Sequence, residues 1–98
     1  MSFQAHLTED LRLCILRVLS EAPGNRGNAS IIQTAVNALG HHVTREQVTQ
    51  QIAYLASLDA VATEQVGPVL VATLRTNGEN HLRRLGPPLP GVKLPSLG

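Results

Sequence analysis

Charge, aromatic rings and cysteine are all scarce in this sequence. Charged residues make up 15% of the 98, against roughly a quarter in ordinary globular chains. Eight basic and seven acidic residues leave a net charge of +1, and Lys93 is the only lysine. That balance excludes a polycationic nucleic-acid binder, a lysine-rich membrane-surface helix and an acidic tail protein. One Phe and one Tyr are the only aromatics, so the core is expected to be aliphatic. A single cysteine, Cys14, excludes an intrachain disulfide framework and a zinc site made of cysteines alone. No apolar run approaches the roughly 18 residues of a membrane span. The opening MSFQAHLTED has neither a basic n-region nor a long apolar h-region, so no signal peptide and no membrane partner are expected. The cytosol is the expected compartment.

What is present is a 43% hydrophobic content, enough for one small domain of the kind that often gains from dimerisation. The first helical period begins at Thr8, with Glu9 and Asp10 in its first turn, where carboxylates favour the positive end of the helix dipole. Leu7, Leu11, Cys14, Ile15, Val18, Leu19 and Ala22 then fall on one face. Leu13 and Leu16 lie off that stripe, and these two leucines, or the last helix, are candidate dimer contacts, with Leu13 the more readily explained as part of an ordinary wide apolar face. Pro23-Gly24 ends the helix, and PGNRGN reads as a loop whose Asn28 caps the next element. A second helix spans residues 29–39 and stops at Gly40. Thr44 and Gln47 form a capping box. The third helix runs from there to about Ser57, with Val48, Ile52 and Leu55 inward. Residues 61–66 and 69–74 are β-prone runs around Gly67-Pro68, the pattern of a hairpin. A short last helix is expected over residues 76–85, although Gly78 disfavours it. From Gly86 onward the chain has four prolines and no periodicity, so residues 86–98 are expected to form an extended, mobile tail.

Helix, helix, capped helix, hairpin, helix is the order of a winged helix-turn-helix. The expected fold is therefore α/β, mainly α, with a three-helix core, a two-stranded wing and a short C-terminal helix, all within residues 1–85. The stretch from Thr44 to Val61 (TREQVTQQIAYLASLDAV) resembles the recognition-helix signature of bacterial winged-helix transcriptional regulators of the ArsR and MarR type. The first helix (LRLCILRVL) and the hairpin also fit. More narrowly, the chain is similar to small winged-helix proteins of Mu-like transposable phages and prophages. Those share a Leu-Gly-His exit from helix two, here Leu39-Gly40-His41, and a Pro-Gly-Val-Lys segment, here Pro90 to Lys93. The resemblance spans about residues 7–93 and implies a DNA-binding regulator. Three departures stand against it. Asp59 occupies the usual glycine position after helix three, and the wing carries Glu64 and no Lys or Arg. Metal sensors of the ArsR type pair thiolates on the recognition helix, whereas Cys14 stands alone on helix one.

Docking geometry places the start of a recognition helix in the major groove. Arg45 suits a guanine edge or a phosphate, and Gln50 or Gln51 suits adenine. Thr49 and Tyr54 suit thymine methyl, phosphate or sugar. Thr44, Glu46, Gln65 of the wing and Arg26 complete the candidate DNA-binding set. Arg26, Arg45, Arg75, Arg83 and Arg84 are the cations considered for phosphate contacts, few enough that a homodimer is expected on double-stranded DNA. The histidines His6, His41, His42 and His81 read as turn or surface residues, with no carboxylate or cysteine partner at ligand spacing. No metal site and no cofactor are expected. Without a phosphate loop, a nucleophile elbow or a His-Glu-x-x-His pair, no enzymatic activity is expected either. The competing reading is a winged-helix protein-interaction module that does not touch DNA.

Overall fold

The computed structural model describes residues 2–96. Among them, four α-helices and a three-stranded antiparallel sheet follow the order α1 (Phe3–Glu21), β1 (Arg26–Asn28), α2 (Ala29–Ala38), α3 (Arg45–Ser57), β2 (Val61–Val66), β3 (Val69–Leu74) and α4 (Thr76–Leu82). The architecture is mixed α/β and mainly helical. No described helix is long and apolar enough to cross a membrane.

α1 starts more than a turn before the expected Thr8. The Ser2 side chain caps it by accepting from the Ala5 backbone N–H at 3.1 Å. Thr8 lies inside the helix, where its hydroxyl donates to the Gln4 carbonyl at 3.0 Å. The buried face of α1 is also broader than the predicted stripe. Leu11, Ile15 and Leu19 are buried as expected, but so are Leu13 and Leu16, the latter fully. The physical reason is position: α1 packs against α2, α3, α4 and β3. Leu13 and Leu16 are thus core within one chain and not dimer contacts. Ile32 and Val36 of α2 and Val48, Ile52 and Leu55 of α3 close the same core.

β1 replaces part of the expected PGNRGN loop. It pairs with β3 in the register Arg26↔Thr73, Gly27↔Ala72 and Asn28↔Val71, giving the strand order β1-β3-β2. Three residues are too few to show a period of two, so pairing with β3 alone makes this segment a strand. The β2–β3 hairpin forms as expected, with Val66 opposite Val69. Gly67 has φ 59°, and Pro68 fixes the second central residue at negative φ, the sign pattern of a type II′ turn.

Three helices end the same way. After α2, Gly40 N–H donates to Asn37 O and His41 N–H to Val36 O, and residues 59–60 and 84–85 repeat this double bond after α3 and α4. Each is a Schellman motif, which needs a left-handed residue after the cap. Gly40, Asp59 and Arg84 hold that place with φ of 109°, 58° and 55°. Asp59 therefore adopts the conformation that glycine usually supplies here, one that Asp tolerates better than most residues.

α4 ends at Leu82, three residues short of the expectation, because Arg84 turns left-handed. Beyond it the segment expected to be mobile is bound back onto the body. Val92 is buried, and Leu89 packs against the core. His81, itself buried, accepts from Leu89 N–H at Nδ1 (3.0 Å) and donates from Nε2 to Lys93 O (2.9 Å). Arg84 donates twice to Pro95 O, and Lys93 N–H reaches Glu9 O at 3.2 Å. The radius of gyration, 12.4 Å, matches a fully compact chain of about 100 residues.

Candidate nucleic-acid interface

The start of α3 is held by two sets of hydrogen bonds. Thr44 Oγ1 accepts from Gln47 N–H at 3.1 Å while Gln47 Oε1 accepts from Thr44 N–H at 2.8 Å, the capping box expected from the sequence. Thr44 is thereby committed to the helix end. The link from α2 is fixed by Asn37, whose side-chain carbonyl accepts from Val43 N–H (3.0 Å) and whose amide donates to Val43 O (3.1 Å). Gln33 donates to the same carbonyl at 3.1 Å. These two residues set the angle between α2 and α3, and sequence reasoning missed them. An Asn in the last turn of a helix, just before a short link, is the signal that was available.

A cleft of about 360 Å³ opens between the starts of α2 and α3 and the hairpin tip. Arg45, Glu46 and Thr49 line it from α3, Asn28 and Ser30 from the β1–α2 junction, and Gln65 and Val69 from the hairpin. Four of the predicted residues, Arg45, Glu46, Thr49 and Gln65, thus come together. Asn28 caps α2 by accepting from Ile31 N–H at 2.8 Å, so the positive end of the α2 dipole also faces this cleft.

The other predicted residues are placed elsewhere. Gln50 and Gln51 line a second recess of about 400 Å³, with His42, Gln47 and residues of the α1 N-terminus. Gln51 also accepts from Arg12 Nε at 2.8 Å. Tyr54 is not an outward residue of the α3 face. Its ring stacks under the Arg12 guanidinium, 3.8 Å from the centroid, and its hydroxyl donates to Pro90 O at 2.8 Å. Arg12 in turn donates to Gly91 O at 2.8 Å. Arg26 leaves β1 and crosses β3 to meet Glu64 of β2 at 3.4 Å.

Among the five arginines considered for phosphate contacts, Arg75 pairs with Asp59 at 2.9 Å and Arg83 with Glu79 at 3.8 Å. Arg84 is bound to Pro95 O and Arg26 to Glu64. Arg45 alone has no side-chain hydrogen bond or ion pair among the described residues.

The histidines are less superficial than expected, since His41 and His81 are both buried. His41 Nε2 lies 2.9 Å from Asp10 Oδ2, and the Cys14 thiol donates to the same oxygen at 3.7 Å. Nearby, Lys93 Nζ stands 3.3 Å from Asp10 Oδ1. A carboxylate and a cysteine therefore do stand beside a histidine, contrary to the expectation from spacing. Asp10 and Cys14 are one helical turn apart, so their side chains share a face, and the α2–α3 link brings His41 to them. Burial and the adjacent Asp10 carboxylate push the Cys14 thiol above its ordinary pKa.

Geometry and architecture together define a small, mainly helical α/β protein with a cleft of mixed polar and apolar lining at the start of its third helix. No family model matches the chain. It is 42% identical over 74 residues, 76% of either chain, to the uncharacterized protein gp26 of Escherichia phage Mu. It is also 38% identical over 66 residues to an uncharacterized protein of Haemophilus influenzae, covering 67% of this chain and 64% of that one. The chain belongs to the family of phage Mu gp26.

Proposed function

We propose that this chain is a winged-helix DNA-binding regulator of Mu-like phages, acting in the host cytoplasm as a homodimer on double-stranded DNA. α2 and α3 act as the helix-turn-helix, and the β2–β3 hairpin is the wing. β1 closes the sheet beside α2. The observation that carries the reading is Arg45, a cation without a partner, on the first residue of α3 and inside a cleft that the hairpin tip overhangs. Such a residue reaches a guanine edge or a phosphate. The α2 N-terminus adds backbone dipoles that favour a phosphate in the same place. Glu46 beside it suits the amino group of cytosine. Regulation proceeds by occupying a site, without chemistry.

The experiment is selection of bound duplexes from a random pool by the full-length chain, followed by Arg45→Ala and Thr49→Ala, both in the cleft, on the selected site. Each variant is expected to weaken binding by about 1–3 kcal/mol if it reads a base. A pool that yields no enriched sequence at low salt overturns the regulator.

One observation favours the second reading, a protein-interaction module. The wing tip presents Val66 and Val69, which are 48% and 36% exposed, where a phosphate-gripping wing carries Lys or Arg. Failure on DNA, with binding to a protein that Val66→Ser abolishes, selects this reading.

A further inference from the structure

Asp10, Cys14 and His41 bring one oxygen, one sulfur and one nitrogen within 4.8 Å of one another. We infer that these three side chains form a Zn²⁺ site, with water completing the coordination. Three protein ligands of mixed O, S and N type with a fourth position open is an arrangement that Zn²⁺ accepts readily. Metal–ligand lengths of about 2.0–2.3 Å around a tetrahedral ion place neighbouring donor atoms about 3.3–3.6 Å apart. Here Nε2 to Oδ2 is 2.9 Å and Sγ to Oδ2 is 3.7 Å, so sub-ångström adjustments of these two separations suffice.

The three ligands are well anchored. Asp10 and Cys14 are fixed by the regular backbone of α1, one turn apart. His41 follows the Schellman turn, and its N–H is bound to Val36 O at 3.1 Å. Its ring is largely buried, while Asp10 keeps a third of its surface in solvent, which leaves an entry path for the ion.

The two anionic ligands match the charge of the ion. One thiolate and one carboxylate neutralise Zn²⁺, and the Lys93 ammonium stays on Oδ1, the carboxylate oxygen left over. Binding displaces the Cys14 thiol proton to solvent. His41 gives up its proton at Nε2 and carries it at Nδ1, so that the Nε2 lone pair faces the ion. No oxidant or reductant takes part. The ion ties α1 to the α2–α3 link and stiffens the corner from which α3 projects.

The test uses the full-length chain, reduced and stripped with chelator, titrated with Co²⁺ and then Zn²⁺. One equivalent of Co²⁺ is expected to produce a thiolate-to-cobalt charge-transfer band with visible bands of tetrahedral intensity, and Zn²⁺ to bleach both. Because Cys14 is the sole cysteine, that band reports it alone. Cys14→Ser is expected to abolish the band, and His41→Asn to weaken binding by at least about tenfold. His42→Asn is expected to bind as the unaltered chain does. Imidazole-nitrogen NMR of the unaltered chain guards against a variant that fails to fold, since zinc must move the His41 Nε2 resonance. Absence of the charge-transfer band at one equivalent, or a His41 resonance unmoved by zinc, overturns the site.

Discussion

Gly78 shows how a single hydrogen atom positions a helix. By intrinsic propensity, alanine in its place favours α4 by about 1 kcal/mol. Packing says the opposite: a Cβ there lies 2.5 Å from the Ala60 carbonyl oxygen and 2.7 Å from Leu74 Cδ1. The first of these is backbone and has little room to yield. Gly78→Ala is therefore expected to destabilise the chain by about 2 kcal/mol, within the usual range for overpacking. Chemical denaturation checks the sign, and a stabilised variant contradicts the close packing of α4 on the α3–β2 turn. Asp10 makes a second prediction at this scale. Partial burial pushes its carboxyl up, but the hydrogen bonds and charges of His41 and Lys93 outweigh that and hold it below the ordinary value. A carboxyl lowered in the folded state adds stability above its unfolded pKa of about 3.9, and that stability is lost as pH falls through the folded value. With chelator present, Asp10→Asn is expected to lose less stability than the unaltered chain between about pH 5 and pH 2. Equal acid slopes in denaturant titrations contradict the pairing.

At the scale of elements, the C-terminal segment behaves as a strap. Pro90 and Gly91 lend their carbonyls to Tyr54 and Arg12, Val92 enters the core, and Lys93 meets Asp10. Removing residues 86–98 strips His81 of both its partners and uncovers apolar surface. The melting temperature is expected to fall by about 10 °C or more, since 1 kcal/mol corresponds to about 4–8 °C in a domain of this size. An unchanged melting temperature restores the mobile tail that composition suggests. Four prolines conceal the strap because its bonds run to residues such as Arg12, 79 positions away, and no local period records them. The same holds for β1, which becomes a strand only through β3. The capping box at Thr44, the Asn28 cap and the hairpin were legible because their partners lie within a few residues. Site residues divide in the same way. Arg45 follows from its place after the cap, whereas Tyr54 is covered by the strap through a bond to Pro90, 36 positions away, that no local period records. Asp10 and Cys14 are one turn apart in plain view, but His41 is 31 residues from Asp10, and spacing alone does not join them.

For the whole molecule, low charge is the governing fact. Most of the arginines considered for DNA are engaged within the fold, by Asp59, Glu64, Glu79 and the strap. Surface pairs of this kind are weak, typically 0–1 kcal/mol, yet each must open or be shared before its arginine meets a phosphate. A protomer therefore offers few ready phosphate contacts, and the salt dependence of binding is expected to be shallow for one chain and doubled in a dimer. The direct measurement is fluorescence anisotropy of a selected duplex, titrated with the unaltered chain and with Arg45→Ala across a salt series. Affinity that falls with salt, and a slope reduced by about 1 per protomer in Arg45→Ala when Arg45 holds a phosphate, is the result predicted. Parallel reduction of affinity at every salt concentration assigns Arg45 to a base instead. Identical affinities and slopes for the two chains contradict α3 as the element that meets DNA.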